Sequence, residues 1–222
     1  LPYAKGVAGN YFQHYVRDDG MLHLQGIALP ATCRVLTSLA MLYSYINAEN
    51  GDCDTLLLTF FPKAKALAGW LASRRTLSLV HAATDPRHGI PQGEAHVDNT
   101  VVPIYKLHLR NPPYLYASAA EMHRAFADLG SVWVRIGQAL KRNDVLQHGT
   151  ILIKQAAELL SDLHTSLNRT VQATGVLAAP RCWPMGVDGN GEILGCPTKT
   201  NNSTARAIIG AGAGKHPTNV GR

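Results

Sequence analysis

The order of apolar and polar positions divides the chain into a helical body and an irregular end. Residues 1–27 mix aromatics, glycines and charges without a sustained period, which predicts an irregular entry with a short strand around Met21–Ile27. From Pro30 onward Val35, Leu39, Leu42, Tyr43 and Ile46 recur at helical spacing until Asn50-Gly51 ends the run. Leu57, Phe60, Phe61, Ala64, Leu67, Ala68 and Leu71 predict a second helix, which Pro62 must either start or kink. The longest stripe is Met122, Phe126, Leu129, Trp133, Ile136 and Leu140, and it makes Trp133 a core residue. Ser118 and Glu121 ahead of it have the spacing of a capping box. Leu152, Ala156, Leu159, Leu160, Leu163 and Leu167 predict a fourth helix, and the short links within each pair predict two antiparallel hairpins.

Two stretches escape this pattern. Residues 80–115 form a long, proline-containing loop dense in Asp, Glu and His, and loops of that length without structure of their own are commonly functional. After Val171 the helical period stops, so the chain divides into a helical-hairpin domain, 1–170, and a Gly/Asn/Pro-rich extension, 171–222. Within the extension Cys182 and Cys196 flank Asp188-Gly189-Asn190-Gly191, a turn whose hairpin would bring the two cysteines within disulfide reach. Cys33 and Cys53 bracket a helix and its loop and are a second candidate pair, with buried thiols as the alternative. Gly210–Lys215 lacks the spacing of a phosphate loop, and Asp188–Lys199 lacks the glycine and glutamate a calcium loop needs.

Composition narrows the classes. A chain 46% hydrophobic and 16% charged can build a core, and no apolar run is long enough to span a membrane. The net charge of +6 suits an acidic partner such as an acidic polysaccharide, but no basic cluster is interleaved with aromatics, which argues against nucleic acid. N-glycosylation sequons at Asn168 and at the overlapping Asn201 and Asn202, with the candidate disulfide, point to a secreted glycoprotein. No cofactor motif is present, and His88, His96 and Asp98 have no fixed metal-ligand spacing.

Two blocks carry a resemblance. Gly89-Ile90-Pro91-Gln92-Gly93-Glu94-Ala95-His96-Val97-Asp98 resembles the acidic inter-helix loop of six-hairpin glycosidase-like enzymes, and Tyr116–Gly130, continued by Val132–Gly137, is similar to the helix that follows it there. The resemblance implies an all-α fold, part of an (α/α)6 barrel, with carboxylates on loops at one mouth. It also implies a carbohydrate ligand and another chain or segment completing the ring, since four helices are a third of such a barrel.

Glycoside hydrolysis needs one protonated and one ionised carboxyl group. Glu94 and Asp98 are the best pair, with His96 between them and Asp85 and Asp128 as further candidates. In an extended segment the pair would stand roughly 13 Å apart, so a bend is required. Arg124 is the candidate sugar clamp, or the i+4 ion-pair partner of Asp128. Tyr114 and Tyr116 would line a pocket mouth or staple the helix, and Trp183 is the candidate stacking platform. Two alternatives stay open: a polysaccharide lyase using His96, Tyr105 or Tyr114 as base beside Asn99 or Arg124, and a non-catalytic module of a secreted assembly.

Overall fold

The computed structural model of the protein describes residues 2–23, 28–48, 53–93, 112–174 and 184–194. Most of these are helical, with a small antiparallel sheet at one end. The helices are α1 (Pro2–His14), α2 (Leu29–Ala48), α3 (Cys53–Ser78), α4 (Tyr116–Ala139) and α5 (Asn143–Thr174). The strands are β1 (Tyr114–Leu115), β2 (Gly186–Val187) and β3 (Ile193–Leu194).

The expected hairpins form. In α4 and α5 the link is residues 140–142, closed by Lys141 in the left-handed region (φ 53°) and a 2.9 Å bond from the Arg142 N–H to the Gly137 carbonyl. That is a Schellman closure, here on a lysine rather than the usual glycine. The two helices then pack unusually close, because glycines meet across the seam. A Cβ on Gly137 would stand 2.5 Å from the Leu146 nitrogen, and one on Gly149 2.7 Å from the Gly130 carbonyl oxygen. Around this seam Met122, Phe126, Leu129, Trp133, Ile136, Leu152 and Leu159 are all buried.

The second hairpin, α2–α3, stacks beside the first. Arg34 reaches Glu121 near the start of both α2 and α4, and Arg135 lies over the Tyr43 ring further along both. So α2 and α4 run parallel. Phe61 against His148 and Arg75 against Asp162 show the same for α3 and α5. Pro62 does not divide α3, which continues through it to Ser78. A proline leaves one carbonyl unbonded, but Phe60, Phe61 and Ala64 around it are buried and hold the helix in place.

Four expectations change. The entry is a helix, α1, rather than irregular chain, and it docks through Phe12 stacked on Phe60. Lys63 fastens its exit by donating to the Gln13 and Val16 carbonyls at 3.3 and 2.7 Å. The capping box is absent: α4 begins at Tyr116, Ser118 lies inside its first turn with its hydroxyl buried and without a partner among the described residues, and Glu121 pairs with Arg34. Instead the Tyr116 N–H donates 3.0 Å to the Met185 carbonyl beside β2. Cys33 and Cys53 carry buried thiols, not a bridge, and the Cys53 thiol donates to the Tyr43 carbonyl. Finally, part of the C-terminal extension joins the body. The hairpin turn expected at 188–191 forms, and β2 pairs with β1 through Tyr114↔Val187.

His148 sits in the core with Nε2 unpartnered among the described residues, edge-on to Phe61. Burial, helped by Lys65, lowers its pKa to about 4. A neutral buried imidazole stabilises the fold fully above its unfolded pKa near 6.5, and that stability is lost as pH falls toward the folded value. Acidification from pH 6.5 to 4 should therefore cost about 3 kcal/mol of unfolding free energy, a slope that His148→Leu should flatten in denaturant titrations. Gly149→Ala should cost about 1–3 kcal/mol through overpacking of the α4–α5 seam, read as a lower denaturation midpoint at unchanged slope.

Candidate functional site

One end of the bundle gathers the polar chemistry. It is formed by the C-terminal turns of α3, residues 79–93, the start of α4, the second half of α5 and the β2–β3 turn. Residues 79–93 fold as successive turns, with N–H groups of His81, Asp85, His88 and Ile90 each bonded three residues back.

Asp85 organises this run. Its Oδ1 accepts from the Arg87 N–H at 2.8 Å and from Arg87 Nε at 3.0 Å, and its Oδ2 accepts from Nη2 at 2.7 Å. Arg87 Nη1 continues to the Gly189 carbonyl at 2.8 Å, tying the run to the β2–β3 turn. The Arg87 hydrogen bonds hold the Asp85 carboxyl below its ordinary range despite burial. On the other side Ser166 Oγ donates to the Pro86 carbonyl. Gly89, at φ 75°, lies so close to the Asp162 carboxylate that no side chain fits. Asp162 is itself held by Arg75 at 2.5 and 3.0 Å, and Glu158 takes a third bond from Arg75 at 3.2 Å.

The run ends in a clasp. Gln92 bridges Tyr114 in the antiparallel sense, the Gly93 N–H donates 3.1 Å to the Pro113 carbonyl, and the Gln92 amide donates 2.9 Å to the Pro112 carbonyl. Gly93 is thus joined to Pro113 and Gln92 to Pro112, on the two sides of the acidic segment. Glu94, His96 and Asp98 themselves lie outside the described residues, as do Tyr105, Asn99, Trp183, Cys182, Cys196 and Asn202.

The remaining candidates take definite positions. Tyr114 and Tyr116 are buried rather than exposed at a mouth. Tyr114 shares a 3.0 Å hydrogen bond with His81 Nε2, and His88 Nδ1 lies 2.8 Å from the His81 carbonyl. Burial raises the Tyr114 phenol; burial, followed by the positive charge of Arg87, lowers His81. The Tyr116 hydroxyl bonds Ser166 and Thr170. That makes Thr170 part of the packing, while Asn168 of the same sequon stays exposed on α5. Arg124 is exposed and pairs with Asp128 at 3.4 Å, one turn along α4. His123 bonds the Ala156 carbonyl at 2.9 Å.

Sequence reasoning did not single out Arg74, Arg87, His81 or Gln92. Asp85-Pro86-Arg87 offered one local signal, an acid two residues from an arginine within a turn. The others are joined across distances of 18 to 33 residues, which no local pattern carries. A second feature is an apolar groove of about 570 Å³ between α1 and α2, lined by Tyr3, Val7, Tyr11, Met41 and Tyr45 among others. It carries no carboxylate. No protein-family model, curated protein or solved structure matches the chain.

The Asp85–Arg87 pair should be a stability determinant. Asp85→Asn should lower stability by about 1–3 kcal/mol at neutral pH. Because the folded pKa is depressed, the wild-type advantage is whole above the unfolded value of 3.8 and fades as pH falls through the folded one. The variant should also move the His81 titration further down, since Asp85 supports its protonation; imidazole NMR signals read both effects.

Proposed function

We propose that the chain is a carbohydrate-active protein of the six-hairpin glycosidase type, acting on an extracellular polysaccharide, with Glu94 and Asp98 as its acid and base. One observation carries the reading. The acidic segment starts from an anchored base, clasped by Gly93 and Pro113 at the end of the bundle where α2 and α4 begin. Catalytic groups must be held in register to lower a barrier, and the clasp fixes Gly93, the residue that precedes Glu94 in the chain. Two stacked hairpins with like helices parallel support the same reading, being the local order from which an α/α barrel is built. On this view the remaining hairpins come from another chain or segment, and the sequons and the Cys182–Cys196 pair belong to a secreted setting.

A non-catalytic module of a secreted assembly is the second reading, favoured by the exposed Tyr3, Val7, Met41 and Tyr45 along the α1–α2 groove. Contiguous exposed apolar surface commonly marks a contact with another molecule. The lyase reading draws less support. Tyr114 is its described base candidate, and burial makes that phenol hold its proton more tightly.

Glu94→Gln and Asp98→Asn should each reduce polysaccharide hydrolysis by at least about a hundred-fold while far-ultraviolet circular dichroism stays unchanged. Reducing-sugar release at wild-type rate by both variants would dispose of the site.

A further inference from the structure

Among the described residues four arginines meet at the polar end, and three of them have evident structural partners. Arg75 is held by Asp162 and Glu158, Arg87 by Asp85 and the Gly189 carbonyl, and Arg169 reaches the Asp85 carbonyl at 3.5 Å. Arg74 differs. It is half-buried, and among the described residues its only hydrogen bond runs from Nε to the Gln92 carbonyl, at 3.0 Å. No carboxylate of the described residues pairs with it, and burial lowers its pKa. A guanidinium withdrawn from water without a counter-charge is unfavourable unless something else supplies one. Gln92 bridges Tyr114, and the Tyr114 hydroxyl meets His81, so Arg74, Tyr114 and His81 form one contiguous group beside the clasp.

We propose that Arg74, flanked by Tyr114 and His81, is a subsite for the carboxylate of an acidic saccharide such as a uronate. This rests on the carbohydrate reading and narrows it to acidic polysaccharides. With Nε committed to Gln92, the two terminal nitrogens remain, and a planar fork of two N–H donors matches the two oxygens of a carboxylate. The Tyr114 hydroxyl and the His81 ring provide neutral polar neighbours rather than a competing anion. Among the described residues, Asp85, which also faces His81, is turned to Arg87. The chain's net charge of +6 acts in the same direction at longer range.

The test compares binding of a short oligogalacturonate with binding of its methyl-esterified, neutral form, by calorimetry on the full chain. Wild type should prefer the acidic form. Arg74→Gln should weaken that binding roughly ten- to a hundred-fold and leave the neutral form unaffected, with circular dichroism unchanged. Arg74→Lys, which keeps the charge and loses the fork, should fall between and guards against a misfolded glutamine variant. Arg142→Gln, at the far end of α4, should bind as wild type does. Equal affinity of wild type and Arg74→Gln for the acidic form overturns the subsite while leaving the carbohydrate reading intact. Acetate separates the two further, through the His81 NMR signal. An acetate response present in wild type and absent in Arg74→Gln, with neither oligosaccharide bound, upholds a carboxylate subsite and removes the saccharide.

Discussion

The close seam between α4 and α5 sets the terms for everything else. Gly130, Gly137 and Gly149 let the two backbones approach until carbonyl and amide groups nearly touch, and interiors packed that densely do not deform gradually. The hairpin is therefore a stiff plate. Against it the second hairpin stacks with α2 parallel to α4 and α3 parallel to α5. Its polar end inherits the stiffness. Asp162 and Glu158 on α5 fix Arg75, Ser166 and Thr170 fix Tyr116, and Gly89 is fitted against Asp162.

From that plate the loop chemistry follows by hydrogen bonding rather than by burial of apolar surface. Residues 79–93 bury Ile90 completely, yet most of their partners are polar. Asp85 and Arg87 satisfy one another and a hairpin turn more than 100 residues away in sequence. The hairpin in turn supplies the carbonyl that receives the first free N–H of α4. Helix start, clasp and polar cluster are thus one connected network, and Arg74 stands at its edge with no carboxylate partner among the described residues.

Legibility in the sequence followed the range of the interaction. The stripes of α2, α4 and α5 were plain because each buries one continuous face, and the turn at 188–191 was plain because its residues dictate it. Helix α1 was hidden: Gly6 and Gly9 weaken its propensity, and only Phe12, with partial help from Ala8 and Tyr11, marks a buried side. Ser118 and Glu121 had the right spacing for a cap, but the sheet moved the helix start back to Tyr116. A local rule lost to a partner some 70 residues downstream. Pro62 does not start its helix as one of its two readings had it, since buried neighbours hold the helix on both sides of it. Of the candidate site, the acidic residues were visible by composition; Arg74 and His81, which meet Gln92 and Tyr114, were not, because only the fold assembles them.

The clasp at Gly93 and Pro113 has an evolutionary consequence. The bonds that join Gln92 and Gly93 to Pro112 and Pro113 tie the run after α3 directly to the start of α4. A substitution that breaks these bonds loosens the junction of α3 with α4, so a lineage that keeps the bundle is under pressure to keep the clasp.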